Sequence, residues 1–591
     1  MAITELNFSD DFDLYVDVYI DDIFTTKGQL TFKFNHAPCL CIEDNDLYYS
    51  LRNREEKTSK AQTKIKCIHK GDIYLLYTNK ILYNLIYPKY IIKSKDEFSY
   101  TKLYISIPGI YQFFMGSRGF IFTDGELKKK IENSFLNIEF INEKKKYILT
   151  ITHDFSISTS KNETNIHEDA ILCIECLTDV ITFDDVKNLS FKLKTFFSIV
   201  FGTSLSIKYT SLGNHDGNVY SPFYFFNHYF DSESINYSTD TLVTHPSYIA
   251  TQDWQVMINN FFSEINTIEF KEIWTRFVSL YSYQGYWEFK VLGYASILDV
   301  YSQKLVDERK EIKIPKKKMR LLKMELISSL TEKAQLLGIN EPEYHQIINS
   351  FCSHINGFRN TLTPTFKERY LHALKIIDPH FISVINFTEK DFSIIKEIRD
   401  SAAHGKPVKI NNGEHKGNFN INETLTLVNK LVILLSCLAF KKLGIDEKRF
   451  AKMIVHSHNK IKINADLNEL KLDVYSENAK VINVDAETFL RSKKLFTFDF
   501  SILEDKSLDN YKFNDSLLLN LMREFKTKRN GMFSGEDFCQ YIYENYNPNA
   551  YFCVELIQKV YLVYEEEKNC LHNVLWVRFK IMTDRIPYTP F

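Results

Sequence analysis

The chain has 591 residues, of which 45% are hydrophobic and 25% charged, and its formal net charge is −2 at pH 7. This composition is typical of a globular protein that buries large cores, and the length predicts about three to five domains. The near-neutral charge excludes a protein whose whole surface attracts nucleic acid, so any nucleic-acid site must be a local patch.

Neither the N-terminal segment nor the longest apolar run predicts a membrane protein. The first residues, MAITELNFSDDFDLYVDV, carry early acids and lack the apolar core that follows a basic head in a secretory signal. The longest uncharged apolar run, LVILLSCLAF between Lys430 and Lys441, has ten residues, whereas a bilayer-spanning helix needs about 20. We therefore expect a soluble, cytoplasmic protein without a membrane partner.

Residues 1–245 are predicted to form a β-rich domain. Segments such as LYVDVYIDDIF, GQLTFKFN and KYILTITHDFSIST alternate apolar and polar residues. Period-two alternation is typical of an antiparallel sheet with one solvated face, which favours a sandwich or barrel-like domain. A helical segment, FDDVKNLSFKLKTFFSIVFG, interrupts the strands.

Ten cysteines are scattered along the chain, which is no disulfide framework, and a reducing cytosol would keep them as thiols. The segments HAPCLC and CIH offer five possible metal ligands, His36, Cys39, Cys41, Cys67 and His69, of which the last four are the candidates. Their spacing fits no standard zinc site, so a metal there is only a weak alternative and no cofactor is expected.

Residues 246–460 are predicted to form an all-helical bundle. The segment YWEFKVLGYASILDVYSQKLVDER carries a broad apolar stripe at helical spacing: Phe289, Leu292, Ala295, Ile297, Leu298, Tyr301 and Leu305. The last helical segment, NETLTLVNKLVILLSCLAFKKLG, is apolar almost all round, which is typical of a central buried helix.

Residues 461–591 are predicted to form a smaller α+β domain, which makes the whole chain a multidomain α+β protein. KIKINADLNELKLDVY and KLFTFDFSIL are predicted strands. DSLLLNLMREFKTK, GEDFCQYIYENY and AYFCVELIQKVYLVYEEE are predicted helices.

The segment FTEKDFSIIKEIRDSAAHGKP predicts a helix with well-defined ends. Thr388 can cap its start, with Asp391 three residues later. Gly405 and Pro407 mark its end, because glycine accepts a left-handed conformation and proline cannot continue a helix.

Arg399, Asp400 and His404 lie near the end of this helix. Asp400 and His404 are four residues apart and share a face, whereas Arg399 and His404 diverge by about 140°. Histidine can transfer protons near neutral pH, and arginine binds phosphate, so the pair suits phosphodiester cleavage by an RNA 2′-hydroxyl. The alternative is an ordinary helix end, where histidine complements the helix dipole.

The motif R-D-x-x-x-H late in a helical bundle, followed by a glycine and a long apolar helix, resembles the HEPN superfamily. With the β-rich part and the stretch TFKERYLHAL, the chain looks like ApeA-type proteins of bacterial anti-phage defence over roughly residues 1–450. The resemblance implies a metal-independent endoribonuclease that acts as a homodimer, with Arg399, Asp400 and His404 in a composite site.

The same resemblance implies a biological role. ApeA-like proteins are expected to cut host RNA, with tRNA as the expected target, after a phage protein is sensed, and so to cause abortive infection. The β-rich domain would then be a sensor or regulator, and the role of residues 461–591 stays open.

A basic stretch, RKEIKIPKKKMRLLK, holds eight basic residues against one acid. It makes Lys316, Lys317, Lys318 and Arg320 candidate RNA contacts, together with Lys396 one turn before Arg399. The alternative is a solvated loop between helices.

Two other functions compete. Asp499, Glu504 and Lys506 follow the order of a magnesium-dependent nuclease, although the first spacing is too short. A protein that binds a phage or cell ligand, with a bundle that only dimerises, is the non-enzymatic alternative.

Overall fold

A computed structural model describes much of the chain, in segments. These are residues 6–20, 22–43, 63–82, 84–94, 99–115, 120–123, 126–129, 136–159, 164–216, 220–228, 237–243, 246–263, 269–306, 314–339, 345–357, 364–406, 420–494, 501–505, 510–514, 523–525, 527, 541 and 551–579.

One large antiparallel sheet dominates the N-terminal part. With the small hairpin β8–β9, its strands are β1 (Phe12–Ile20), β2 (Ile23–Phe32), β3 (Cys39–Ile42), β4 (Thr63–His69), β5 (Asp72–Leu82), β6 (Leu85–Lys93), β7 (Lys102–Ser106), β8 (Phe120–Thr123), β9 (Glu126–Lys129), β10 (Asn137–Asn142), β11 (Lys145–Thr159), β12 (Thr164–Cys176), β13 (Tyr209–Gly213) and β14 (Tyr220–Phe225).

The sheet has twelve strands in the order β10-β11-β12-β7-β13-β14-β6-β3-β2-β1-β4-β5, and β5 also pairs with β6. This extra pairing closes the strands from β6 to β5 into a barrel, and the other strands extend from it. In β1, Val16, Val18 and Ile20 are buried, whereas Tyr15 between two inward positions is exposed. The predicted barrel-like antiparallel sheet with one solvated face is confirmed.

Helices make up most of the described residues between 246 and 494, and three more lie within the N-terminal part. They are α1 (Ile110–Met115), α2 (Phe183–Phe201), α3 (Tyr237–Asp240), α4 (Thr251–Phe262), α5 (Thr275–Ser279), α6 (Trp287–Val306), α7 (Lys316–Leu336), α8 (His345–Gly357), α9 (Phe366–Leu374), α10 (Pro379–Ile385), α11 (Glu389–Ala403), α12 (Ile421–Lys442), α13 (Glu447–Ile454), α14 (Lys460–Asn464), α15 (Glu469–Tyr475) and α16 (Ala486–Ser492). A 3₁₀ turn, Pro246–Tyr248, precedes α4 and a π-helical turn, Phe270–Trp274, precedes α5.

Helix α12 forms the centre of the bundle, as predicted. All residues from Leu431 to Phe440 are buried. By length and composition alone the stretch Asn422–Lys442 is apolar enough to cross a membrane, and 78% of its most apolar window is buried inside the fold. Burial of that kind is typical of a core helix.

Helix α6 packs beside α9 and α11. Its residues Val291, Tyr294 and Leu298 are almost fully buried, and the Tyr294 ring packs against Phe277 of α5 with ring centroids 5.9 Å apart. Phe289, predicted as part of the stripe, is instead 49% exposed and lies in the first turn of the helix.

Two predictions for the C-terminal part were wrong. The stretch KIKINADLNELKLDVY forms helices α14 and α15, because Asn459 and Asn468 each cap a helix start by accepting a backbone N–H. The stretch predicted as a helix from Ala550 onwards is strand β18 (Tyr551–Tyr564).

Strand β18 is the second strand of a five-stranded sheet in the order β15-β18-β19-β16-β17. The other strands are β15 (Ala479–Asn483), β16 (Ser501–Asp505), β17 (Asn510–Asn514) and β19 (Glu567–Phe579). The sheet confirms an α+β C-terminal part. The pairing of β18 with its neighbours outweighs the helical appearance of its sequence, and the strand buries Val560, Tyr561 and Leu562.

A buried carboxylate joins this sheet to the helices. Asp473 on α15 has a fully buried side chain that accepts hydrogen bonds from Lys559 Nζ at 3.0 Å, Tyr561 Oη at 2.6 Å and Asn478 Nδ2 at 2.8 Å. Both tethered side chains of the sheet come from β18, so this single residue fixes β18 against α15.

Candidate active site

Helix α11 begins and ends as its sequence predicts. Thr388 Oγ1 accepts from Asp391 N at 3.2 Å, and the Asp391 carboxylate accepts from Thr388 N at 2.8 Å. At the other end Gly405 has φ of +64°, and Lys406 N donates to the Ser401 carbonyl at 2.9 Å. The two ends form a capping box and a Schellman motif, which fix the helix that carries the candidate residues.

Arg399 points into the contact between α11, α6 and α9. Its Nη2 donates to Asp299 Oδ2 at 2.9 Å and its Nη1 to Asp400 Oδ1 at 3.3 Å. The guanidinium carbon lies 4.7 Å from the ring centroid of Phe366, and the side chain is 24% exposed. Two carboxylates and an aromatic ring therefore hold the guanidinium in one orientation.

Asp299 is itself held by a second arginine. Arg369 donates to Asp299 Oδ1 through Nε at 2.9 Å and through Nη2 at 2.5 Å, and its Nη1 donates to the Pro364 carbonyl at 2.6 Å. The Asp299 side chain is 15% exposed. One carboxylate on α6 thus bridges an arginine of α9 and an arginine of α11.

Neither Asp299 nor Arg369 was singled out from the sequence, although a signal was present. Asp299 lies four residues after Ala295 and seven after Leu292, so it falls on the apolar stripe of α6. A carboxylate on a buried helix face requires a cationic partner, which predicts a nearby basic residue without saying which one.

His404 lines a different surface, a cleft of about 450 Å³ alongside α11. The cleft lining includes Lys367, Lys396, Asp400, Ser401, His404 and Lys406 but not Arg399. The predicted divergence of Arg399 and His404 is confirmed. Asp400 belongs to both places, because it lines the cleft and pairs with Arg399.

The imidazole of His404 is exposed at the C-terminal end of α11. It forms no hydrogen bond or ion pair within the described part of the chain. Its own backbone N–H is bonded to Asp400 and Ser401 carbonyls at 3.2 Å, which holds the residue in the last helical turn. A solvent-facing histidine fixed in this way can exchange a proton with a molecule in the cleft.

The cleft contains three lysines beside two carboxylates, Glu397 and Asp400. Lys367 is paired with Glu389 at 3.0 Å. Lys396 and Lys406 are exposed and form no ion pair with any residue that the structure describes. These two ammonium groups are available for a phosphate, and contact of Lys396 with RNA stays a prediction.

The four candidate residues of the basic stretch lie at the start of α7, outside the cleft. Lys316, Lys317, Lys318 and Arg320 are exposed in the first turns of α7, and none of them lines the cleft. The alternative of a solvated loop is wrong for these four residues, because they are helical. Their contact with RNA stays a prediction.

The weak metal candidates do not converge. Cys39 and Cys41 lie on β3, and Cys67 and His69 lie on β4, two strands away across β2 and β1. Cys67 is buried in the barrel core, where burial raises its thiol pKa strongly, and His69 Nδ1 lies 2.7 Å from the Tyr15 carbonyl. Among the described residues no three His, Cys, Asp or Glu side chains are grouped so that they could hold a metal ion.

Some predicted residues lie outside the described part of the chain. They are Pro407, Asp499 and Lys506, so the magnesium-nuclease alternative is represented only by Glu504, which lies on β16.

The comparison with known families matches this part of the fold. Residues 292–449, a little over a quarter of the chain, match the family model described as Apea-like HEPN. The matched segment runs from α6 into α13 and contains Asp299, Arg369 and all three motif residues.

This match confirms the resemblance of the bundle to ApeA-type proteins, a family of anti-phage defence nucleases. No curated protein matches the chain. No solved structure matches it either.

Proposed function

We propose that the protein is a metal-independent endoribonuclease of anti-phage defence that requires no cofactor. The observation that carries the proposal is the position of His404 in a lysine-lined cleft, on the same helix end as Arg399. A histidine supplies proton transfer, and the lysines supply phosphate binding, so the cleft contains the groups that cleavage of an RNA strand needs.

The chemistry follows from these groups. His404 removes the proton of a ribose 2′-hydroxyl, whose oxygen attacks the adjacent phosphorus. The bond from phosphorus to the 5′-oxygen breaks, and that oxygen receives the proton that the His404 imidazolium now carries. The products are a 2′,3′-cyclic phosphate and a 5′-hydroxyl end. Arg399 stabilises the negative charge that grows on the phosphate oxygens.

A homodimer is part of the proposal. On one chain Arg399 faces α6 and α9 while His404 faces the cleft, so the two groups approach different surfaces. A two-fold axis that brings two α11 helices together would place Arg399 of one chain near the partner cleft.

For the biological role we propose cleavage of host RNA, with tRNA as the expected target, once a phage protein is sensed. The β-rich part, residues 1–245, would sense that trigger, and the protein would act in the cytoplasm. Growth arrest of the infected cell then follows from the loss of translation.

The test uses the purified full-length protein with a tRNA pool in EDTA. The wild type is expected to produce 2′,3′-cyclic phosphate ends, and His404→Ala is expected to lose about 10²–10⁴-fold in rate. His345→Ala is the matched control, because His345 is an exposed histidine on α8 outside the cleft.

Other outcomes identify the alternatives. Cleavage that disappears in EDTA would favour a metal-dependent nuclease. If cleavage is absent even with lysate of phage-infected cells added, a non-enzymatic binding protein is the better description. Cells that carry His404→Ala should also lose protection against phage.

A further inference from the structure

Asp299 lies between two arginines that come from different helices. Its Oδ1 accepts both hydrogen bonds from Arg369, whereas its Oδ2 accepts the hydrogen bond from Arg399 at 2.9 Å. The carboxylate therefore cannot rotate without breaking at least one charge-assisted bond, and each oxygen is assigned to one arginine.

We infer that Asp299 is a positioning residue for the reaction, and that it acts through Arg399. Arg369 fixes the carboxylate of Asp299, and the carboxylate fixes the plane of the Arg399 guanidinium. This inference rests on the proposed function, because it takes Arg399 to be the group that meets the phosphate.

The geometry leaves Arg399 able to do so. A guanidinium has five N–H donors, and Asp299 and Asp400 each take one of those of Arg399. Phe366 covers one face of the group. The remaining N–H groups lie in a plane whose orientation is set from three sides, which suits bidentate binding of a phosphate.

A neutralising role for Asp299 predicts the opposite result. If the carboxylate only masked the charge of Arg399, its removal would raise the cleavage rate. Removal of a positioning group lowers the rate instead, because small displacements of a catalytic group are costly. The two roles therefore differ in the sign of one measurement.

The experiment measures kcat and KM for cleavage of a tRNA pool by the full-length protein. Asp299→Asn is expected to lower kcat by about 10–100-fold and to leave KM within about twofold. Asparagine keeps the size of the side chain but turns an NH₂ group towards one arginine. Asp299→Glu, which keeps the charge, is expected to recover part of the lost rate.

A double-substitution cycle separates positioning from general damage. In an Arg399→Ala background, Asp299→Asn should change the remaining rate by less than about twofold, because its partner is already absent. Glu272→Gln is the matched control, since it removes a carboxylate of the π-helical turn that pairs with Lys304 of α6 at 2.8 Å and makes none of the contacts to Asp299 or Arg399 described above. That variant should cleave like the wild type.

The outcomes separate this inference from the proposed function. An active wild type whose Asp299→Asn variant is equally or more active overturns the inference alone, as does an additive loss in the Arg399→Ala background. A wild type without ribonuclease activity, or an Arg399→Ala variant that is as active as the wild type, overturns the proposed function and the inference with it.

Discussion

Arg399 and His404 are five residues apart on one helix, yet Arg399 is held between α6 and α9 while His404 faces an open cleft. This separation makes an active site within one chain difficult to assemble. The separation is a chemical reason for the proposed dimer, since a second copy of α11 can supply the arginine that the first copy directs to another surface.

Complementation tests this dimer directly. Arg399→Ala and His404→Ala variants, each with strongly reduced activity alone, are mixed after partial unfolding and refolded together. If each site takes its arginine and histidine from different chains, half of the dimers are mixed and each has one intact site, so about a quarter of wild-type activity returns. Sites built within single chains would give no recovery. Each variant refolded alone is the control.

The cleft lysines are expected to bind the RNA backbone. Lys396→Ala and Lys406→Ala, made together in the His404→Ala background, should weaken tRNA binding and reduce the salt dependence of the binding constant by about two charges. Filter binding at several salt concentrations measures both effects. Lys375→Ala serves as the control, because Lys375 is exposed after α9 and does not line the cleft. An unchanged salt slope would remove the cleft from the RNA path.

The buried carboxylate of Asp473 should govern the stability of the C-terminal sheet. Asp473→Ala leaves Lys559 without its charged partner, and a loss of about 3–5 kcal/mol in the free energy of unfolding is expected. Denaturant unfolding measures it, and limited proteolysis should show earlier cleavage within β18 and β19. Glu566→Ala, an exposed acid in the turn between these strands, should match the wild type.

Lys194 predicts a pH dependence of stability. Burial on α2 lowers its pKa from the ordinary 10.5 to about 8. Between these two values the unfolded chain binds more protons than the folded chain, so this residue makes the free energy of unfolding increase as the pH rises from 8 to 10.5. Below pH 8 the folded chain bears the full cost of the buried charge.

Lys194→Met should therefore be more stable than the wild type at pH 7, by on the order of 1–3 kcal/mol, and should lose that part of the pH slope. Denaturant midpoints between pH 7 and 10 provide the measurement. Lys187→Met on the same helix is the control, and an equal gain from that variant would contradict the assignment to Lys194.

Local patterns made α11 predictable. Thr388, Asp391 and Gly405 act at the ends of their own helix. The residues that they contact are therefore close to them in the sequence. The same holds for α12, whose uniformly apolar composition can only be satisfied in the centre of a bundle.

Contacts between distant segments were not predictable in this way. Asp299 and Arg399 are one hundred residues apart, and nothing in the letters around Asp299 selects Arg369 and Arg399 from the other basic residues. The strand β18 shows the same limit. Its apolar residues fit a helical period well enough, and only its pairing with β15 and β19, one before it and one after it, decides for a strand.

The bridge at Asp299 also bears on how such a domain loses activity during evolution. Replacing Asp299 leaves Arg369 and Arg399 without their shared partner in a largely buried place, and replacing either arginine removes one of its charge-assisted hydrogen bonds, so these changes cost folding as well as catalysis. His404 is exposed and bonded only through its backbone, so its replacement costs little stability. Related proteins that have lost catalysis should therefore lack the histidine first and still contain Asp299, Arg369 and Arg399.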